Sequence, residues 1–222
     1  MKHLLVITGG NRGLGKSIVD LFIDKTNYNI LLLSRKIHQS HMGNGKINFL
    51  EIDLSGELSE KKINKITNQT IDYSKIIFIN NAFTIEPIIK LKDFTISQIN
   101  HSFNTNMKSS ISIISRIIKT NINKELVFVN ISSGASYKAI DCWSLYCSAK
   151  AYMNMFFDSI NIEYKSKNIK SINFDPGVMD TDMQKIIRES NFENVDHFLS
   201  LSNKNQLKSP SEVSELLFKK II

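Results

Sequence analysis

Cysteine is scarce in this chain: Cys142 and Cys147 are the only two in 222 residues. That leaves no material for a disulfide framework or a cysteine-based zinc site. Proline is scarce as well, with Pro87, Pro176 and Pro210 alone. No Pro/Gly-rich stretch divides the sequence, so residues 1–222 read as one domain. No uncharged apolar run approaches the roughly 18 residues of a membrane span. The apolar start, Leu4-Leu5-Val6-Ile7, is shorter than the core of a secretory signal and reads as a first strand. Without an export signal or a cysteine framework, the expected compartment is the reducing cytoplasm, with no membrane partner. Acidic residues are outnumbered, 21 against 28 Lys and Arg, for a net charge of +7. The lysines are scattered, not gathered in a stripe, so no nucleic-acid partner is expected. The five histidines lack metal-ligand spacing, and no metal is expected. What the sequence does have is a hydrophobic content of 42%, enough for a sizeable core.

Two periodicities alternate along it. Short β-branched runs at 3–8, 28–34, 47–52, 75–80, 126–131 and 169–174 read as buried parallel strands. Helix-length segments lie between and after them, at 14–26, 57–70, 97–119, 144–166 and 211–220. This alternation predicts an α/β fold, a doubly wound parallel sheet with helices on both faces. Residues 178–209 break the pattern, being polar and weakly periodic. In such a sheet ligands sit beyond the carboxyl ends of the strands, so this excursion is expected to form a lid over the substrate.

After the first strand comes Thr8-Gly9-Gly10-Asn11-Arg12-Gly13-Leu14-Gly15-Lys16-Ser17, which parses in two ways. Gly10 to Ser17 fits a P-loop, presenting Lys16 to phosphates. Gly9, Gly13 and Gly15 fit a dinucleotide turn, where glycines let the backbone approach a pyrophosphate at a helix N-terminus. A P-loop enzyme needs a carboxylate for magnesium at another strand end, and Asp53 is the best candidate, though Glu51 interrupts its strand. A dinucleotide fold needs a discriminator after the second strand. That strand ends in Ser34-Arg35-Lys36, without the acid that binds the ribose hydroxyls of NAD. Arg35, with Arg12 opposite, suits a 2′-phosphate, which favours NADP(H).

Tyr146-Cys147-Ser148-Ala149-Lys150 is a Y-x-x-x-K. On a helix this spacing puts both side chains on one face. An ammonium beside a phenol favours the phenolate and makes the tyrosine a usable proton donor or acceptor. Ser132-Ser133-Gly134 closes the fifth strand, at an end that faces the ligand crevice.

With these residues the chain resembles the short-chain dehydrogenase/reductase family over nearly its whole length. The landmarks occur in order: the glycine turn, Asp53-Leu54, Asn80-Asn81-Ala82, Asn106, Ser133, Tyr146, Lys150, and Pro176-Gly177-Val178 with Thr181. The resemblance implies a Rossmann-type sheet and a reductase in which Asn106, Ser133, Tyr146 and Lys150 are catalytic. Tyr146 would protonate a carbonyl oxygen, and Ser133 would hydrogen-bond it. Lys150 would hold the nicotinamide ribose and tune Tyr146, while Asn106 would help hold a relay water. Gly9, Asn11, Arg12, Gly13, Leu14, Gly15, Ser34 and Arg35 would bind the cofactor's phosphates. Asp53 and Leu54 would flank adenine. Val178 and Thr181 would hold the cofactor's carboxamide, and Asn81, Ala82, Pro176 and Gly177 are further cofactor-binding positions. Within the family, Trp143 to Cys147 and Asp180 to Gln184 are similar to segments of sepiapterin reductases. Ser132 to Ala135, Asn154-Met155-Phe156 and Ser209-Pro210 are similar to bacterial benzil reductases. Both subgroups imply a small-molecule carbonyl substrate, an α-diketone or aromatic ketone. Ser133, Trp143, Tyr146, Met179 and Met183 are the pocket candidates, and Tyr137 is a further one. The alternative is that such residues only pack the lid.

The chain departs from the family at two points. Phe83 stands where the family has glycine, so either the loop shifts or a ring enters the crevice. The chain ends at Ile222, so the family's seventh edge strand is expected to be missing, along with the acid that anchors a pterin in sepiapterin reductases. Two other functions remain open on the sequence: a non-catalytic NADP-binding protein and a P-loop nucleotide hydrolase. The helices at 97–119 and 144–166 pair between subunits in this family, which makes a homodimer an expectation.

Overall fold

A computed structural model describes residues 2–222. Its six strands are β1 His3–Thr8, β2 Asn29–Ser34, β3 Ile47–Glu51, β4 Lys75–Asn80, β5 Glu125–Ile131 and β6 Ile169–Phe174. They form one parallel sheet in the order β3-β2-β1-β4-β5-β6. Among the described residues β6 is therefore an outer strand. Alternation along β1 builds the two layers. Leu5 and Ile7 face α1 (Gly13–Lys25) and α8 (Pro210–Ile221), joining Ile18, Phe22 and Leu217. Leu4 and Val6 face the other way, among Ile66, Ile113, Ile117 and Phe157. These last four come from α2 (Glu60–Asn68), α4 (Ser109–Asn121) and α5 (Ser144–Glu163). Phe22 is fully buried and meets the edges of Tyr28 and Phe218, each with ring centroids 5.5 Å apart.

The strand order reverses between β1 and β4, and the ligand crevice of a doubly wound sheet opens at that point. Two expectations need correction. The helix expected over 97–119 is interrupted: α3 (Ile96–Phe103) and α4 are joined by a π-helical turn, Asn104–Lys108. Asn104, Thr105 and Asn106 are weak helix formers, and the turn gains outside bonds, Asn104 Nδ2 donating to the Ser55 carbonyl at 3.0 Å. The weakly periodic lid also contains two helices, α6 (Asp182–Glu189) and α7 (Val195–Asn203). Thr181 caps the first, its hydroxyl accepting from the Gln184 amide, and the apolar faces of both fold onto the domain. Asp180 N–H donates to the Lys208 carbonyl, and Lys208 N–H to that of Val178, both at 3.0 Å, which ties the base of the lid. No helix among the described residues is long and apolar enough to cross a membrane.

Candidate active site

The glycine turn is shaped from below. The Thr8 hydroxyl accepts from the backbone amides of Asn81 and Ala82, each at 3.0 Å. Asn81 Nδ2 returns bonds to the carbonyls of Thr8 and Gly9 at 2.9 and 3.0 Å. Gly9 and Gly13 hold φ of +69° and +52°, which other L-residues resist. Gly15 makes room: a Cβ there would lie 2.3 Å from the Gly9 carbonyl oxygen. Arg12 stands at the N-cap of α1 with no capping side-chain bond, and the first turn holds no acidic residue. The leading N–H groups of α1 thus lack a side-chain acceptor and suit an anion. A dinucleotide's pyrophosphate fits this end.

Two further walls come from β2 and β3. Ser34 is buried, its hydroxyl donating to the Lys36 carbonyl at 2.6 Å, so the serine shapes the strand exit. Arg35 is exposed and has no ion-pair partner among the described residues. Asp53 accepts from the Ser55 amide and hydroxyl at 2.9 and 2.7 Å. These bonds hold its carboxyl below the usual carboxylate range. Arg12 points to the lid, where its guanidinium meets Asp182 at 3.0 Å. Lys16, central to the P-loop reading, instead binds Asp20 at 2.7 Å and does not line the crevice.

On the far side, a buried amide ladder fixes the ends of β4, β5 and β6. Asn80 Nδ2 donates to Asn130 Oδ1 at 3.2 Å, and Asn130 Nδ2 to Asn154 and Asn173 at 3.1 and 3.0 Å. The Ser132 hydroxyl donates to Asn154 Oδ1 at 2.7 Å, and Asn154 Nδ2 to the Ser136 hydroxyl at 2.9 Å. Such a network specifies one arrangement because each unpaired member would carry a burial cost. It supports the backbone from which Ser133 projects and the face of α5 that carries Tyr146 and Lys150.

Tyr146 and Lys150 are both buried. Burial pushes the Tyr146 phenol well above its ordinary value, and hydrogen bonding with the Ser133 hydroxyl draws it partly back. Burial pushes Lys150 down to about 7, opposed by the Asp175 carboxylate. Lys150 Nζ donates to the Ile131 carbonyl at 2.6 Å and lies 3.5 Å from the centroid of the Phe83 ring. The ring expected either to shift the loop or to enter the crevice does enter it. Asn106 is buried behind the wall. Its Oδ1 accepts from the Thr84 amide at 2.8 Å, and its Nδ2 donates to the Thr84 carbonyl at 2.9 Å. Its side chain thus clamps the loop after β4.

These residues enclose a crevice of about 500 Å³. All the sequence-predicted cofactor positions line it except Gly15, which lies behind the turn. The five pocket candidates line it too; Tyr137 is 81% exposed and stands outside. Trp143 does double duty. Its ring stacks on Phe198 of α7 at 5.2 Å and 25°, and meets the Tyr146 ring edge-on at 5.7 Å. The lid residues Gln184, Ile187 and Phe198 also line the crevice, as does Ile85 after β4. Sequence reasoning missed them. Gln184 had one local signal, its place three residues after the capping Thr181.

The fold and site define a doubly wound α/β protein with a ligand crevice at the strand ends and a buried tyrosine–lysine pair in its wall. A family model described as short chain dehydrogenase matches residues 3–191, and the chain belongs to that family. It is 29% identical over 225 residues to benzil reductase ((S)-benzoin forming) of Bacillus subtilis (strain 168), an alignment covering 97% of this chain and 91% of the relative. Sepiapterin reductase of Bos taurus is 25% identical, with 86% of this chain and 78% of that protein aligned. Among solved structures, the KRED1-Pglu enzyme matches with a TM-score of 0.87 and 25% identity over 98% of this chain and 93% of its own. The protein is accordingly an oxidoreductase acting on CH–OH/C=O groups. The P-loop hydrolase reading falls.

Proposed function

We propose that the protein is an NADPH-dependent carbonyl reductase for α-diketones or aromatic ketones. One observation carries the acid role: Tyr146 is buried at the crevice wall, and burial raises its phenol, so it meets a carbonyl in the protonated form. NADPH held along the crevice would supply a hydride for the carbonyl carbon. As charge grows on the carbonyl oxygen, the Ser133 hydroxyl hydrogen-bonds it and Tyr146 delivers its phenolic proton. The Lys150 ammonium, 5.5 Å from the centre of the Tyr146 ring, favours the phenolate left behind. The α1 N-terminus would hold the cofactor's pyrophosphate, and Arg35 its 2′-phosphate.

The substrate class rests on the chemistry of the pocket wall. Trp143, Phe198 and Ile187 offer an apolar slot for an aromatic group. Trp143 Nε1 and both amide atoms of Gln184 are buried without a hydrogen-bond partner among the described residues. The two donors among them, Trp143 Nε1–H and Gln184 Nε2–H, suit a second substrate oxygen, as a vicinal dicarbonyl has. The relatives named benzil reductase and sepiapterin reductase support the same class. The test is loss of NADPH absorbance with benzil and a panel of α-diketones and monoketones, with wild type beside Tyr146→Phe. Turnover that falls about 10²- to 10⁴-fold in the variant is expected, the usual contribution of a positioned acid. An unchanged rate would remove Tyr146 from the mechanism, and no turnover across the panel would remove the substrate class.

A further inference from the structure

Phe83 sits where its backbone has little freedom. On one side Asn81 and Ala82 are bonded to Thr8 and Gly9; on the other, both backbone polar groups of Thr84 are bonded to Asn106. A side chain clamped at both flanks projects in a set direction. That direction is onto Lys150: Nζ lies 3.5 Å from the ring centroid, close enough for a cation over an aromatic face. The Phe83 ring also stands edge-on to Tyr146, with centroids 6.0 Å apart at 87°. The Ile131 carbonyl accepts one Nζ–H bond, and the Phe83 ring face lies against Nζ at the crevice wall that both residues line.

We propose that Phe83 is a positioning residue for the Tyr146–Lys150 pair: its ring face caps the Lys150 ammonium, and a cofactor ribose hydroxyl reaches that nitrogen only by displacing the ring. The second half rests on the cofactor reading above; the cap itself does not. The ring acts in two opposed ways. Its bulk keeps water from the ammonium, while its π face attracts the charge. Other groups facing Lys150 are few. Tyr146 shares its helix, β5 presents the neutral Ile131 carbonyl, and Asp175 after β6 is the charged side chain acting on it.

These two actions separate in variants. Phe83→Ala admits water, which solvates an ammonium better than a ring does, so the Lys150 titration should move up by about one pH unit or more. Phe83→Leu still excludes water but loses the π face, so the titration should move down by about 0.4–1.5 units, the equivalent of a cation–π contact. Phe83→Tyr keeps both properties and should restore the wild-type midpoint. Lysine Cε resonances followed by NMR from pH 5 to 11, with Lys150 assigned through Lys150→Met, report this without cofactor or substrate. NADPH dissociation constants, measured by fluorescence, supply the second arm. Phe83→Ala should bind about two- to thirtyfold more tightly, since no ring need be displaced. Upward shifts in both Ala and Leu variants, or no shift in either, would overturn the cap. NADPH binding that is unchanged or weaker in Phe83→Ala would overturn the displacement. If wild type bound no NADPH, the cofactor reading would fall while the NMR titration still decided the cap. If the Ala variant did not fold, the Leu and Tyr variants would decide it alone.

Discussion

Replacing Lys150 by methionine should destroy turnover and yet stabilise the fold, by an amount that depends on pH. Methionine matches the lysine stem in length and removes the ammonium. In the folded chain burial holds Lys150 at about 7, against an ordinary 10.5. Between these values the unfolded chain binds more protons than the folded one, so wild-type stability rises with pH. The cost of burying the ammonium is fully present below about pH 7, where it approaches 5 kcal/mol at about 1.36 kcal/mol per pH unit. It is lost as pH climbs to 10.5. Against it, the substitution leaves the Ile131 carbonyl without the bond it accepts at 2.6 Å, worth about 1.5–3 kcal/mol for a charged donor. Lys150→Met should therefore exceed wild type by about 2–3 kcal/mol at pH 6. The linkage integral makes this gap shrink by about 2–3 kcal/mol between pH 6 and pH 9. Urea unfolding of both proteins at pH 6, 7.5 and 9 measures it. A gap that stays constant with pH would refute the reasoning, because Lys150 would then titrate alike in both states.

Arg35→Ala should weaken NADPH binding about ten- to hundredfold, the value of a charge-assisted bond to the 2′-phosphate, and leave NADH binding unchanged. Equal losses for both nucleotides, in fluorescence titrations, would remove Arg35 as discriminator. Gly15→Ala forces a Cβ to within 2.3 Å of the Gly9 carbonyl and 2.5 Å of Asn81 Nδ2. The turn must open, and NADPH affinity should drop at least about tenfold by the same titration. Asn154→Ala strands the bonds donated by Asn130 and Ser132. At about 1–3 kcal/mol for each unpaired group, urea unfolding should show a loss of about 2–6 kcal/mol; a loss under about 1 kcal/mol would mean that the ladder repairs itself.

The strands were legible because parallel strands covered on both faces need continuous apolar runs, and Ile30-Leu31-Leu32-Leu33 has no other economical use. The tyrosine–lysine pair was legible because its partners lie one helical turn apart. The amide ladder was not, since Asn130 meets Asn154 and Asn80 at separations of 24 and 50 residues and no local period links them. The lid helices were obscured for a different reason. Asp182–Glu189 spans eight residues, barely two turns, and its charged residues interrupt the apolar stripe. Phe83 was visible as a departure from the family, but its partner Lys150 became evident only from the fold.

How the lid is held bears on what it recognises. Arg12 and Asp182 bridge the glycine turn and α6, yet their side chains are 62% and 63% exposed. An ion pair so open to water and salt contributes at most about 1 kcal/mol. Most of the closing energy must come from the lid's buried apolar face, where Trp143, Phe192 and Phe198 pack ring against ring beside Ile187. Aromatic pairs add about 0.5–1.5 kcal/mol each beyond the area they bury. Trp143 and Phe198 also line the crevice. Under the proposed function, the groups that close the lid are then the groups that grip an aromatic substrate. Enlarging the slot by Phe198→Ala should therefore loosen α7 and raise the KM for benzil together. KM for a small aliphatic diketone, which needs no aromatic slot, should change far less. Equal changes for the two substrates would assign Phe198 to lid packing alone.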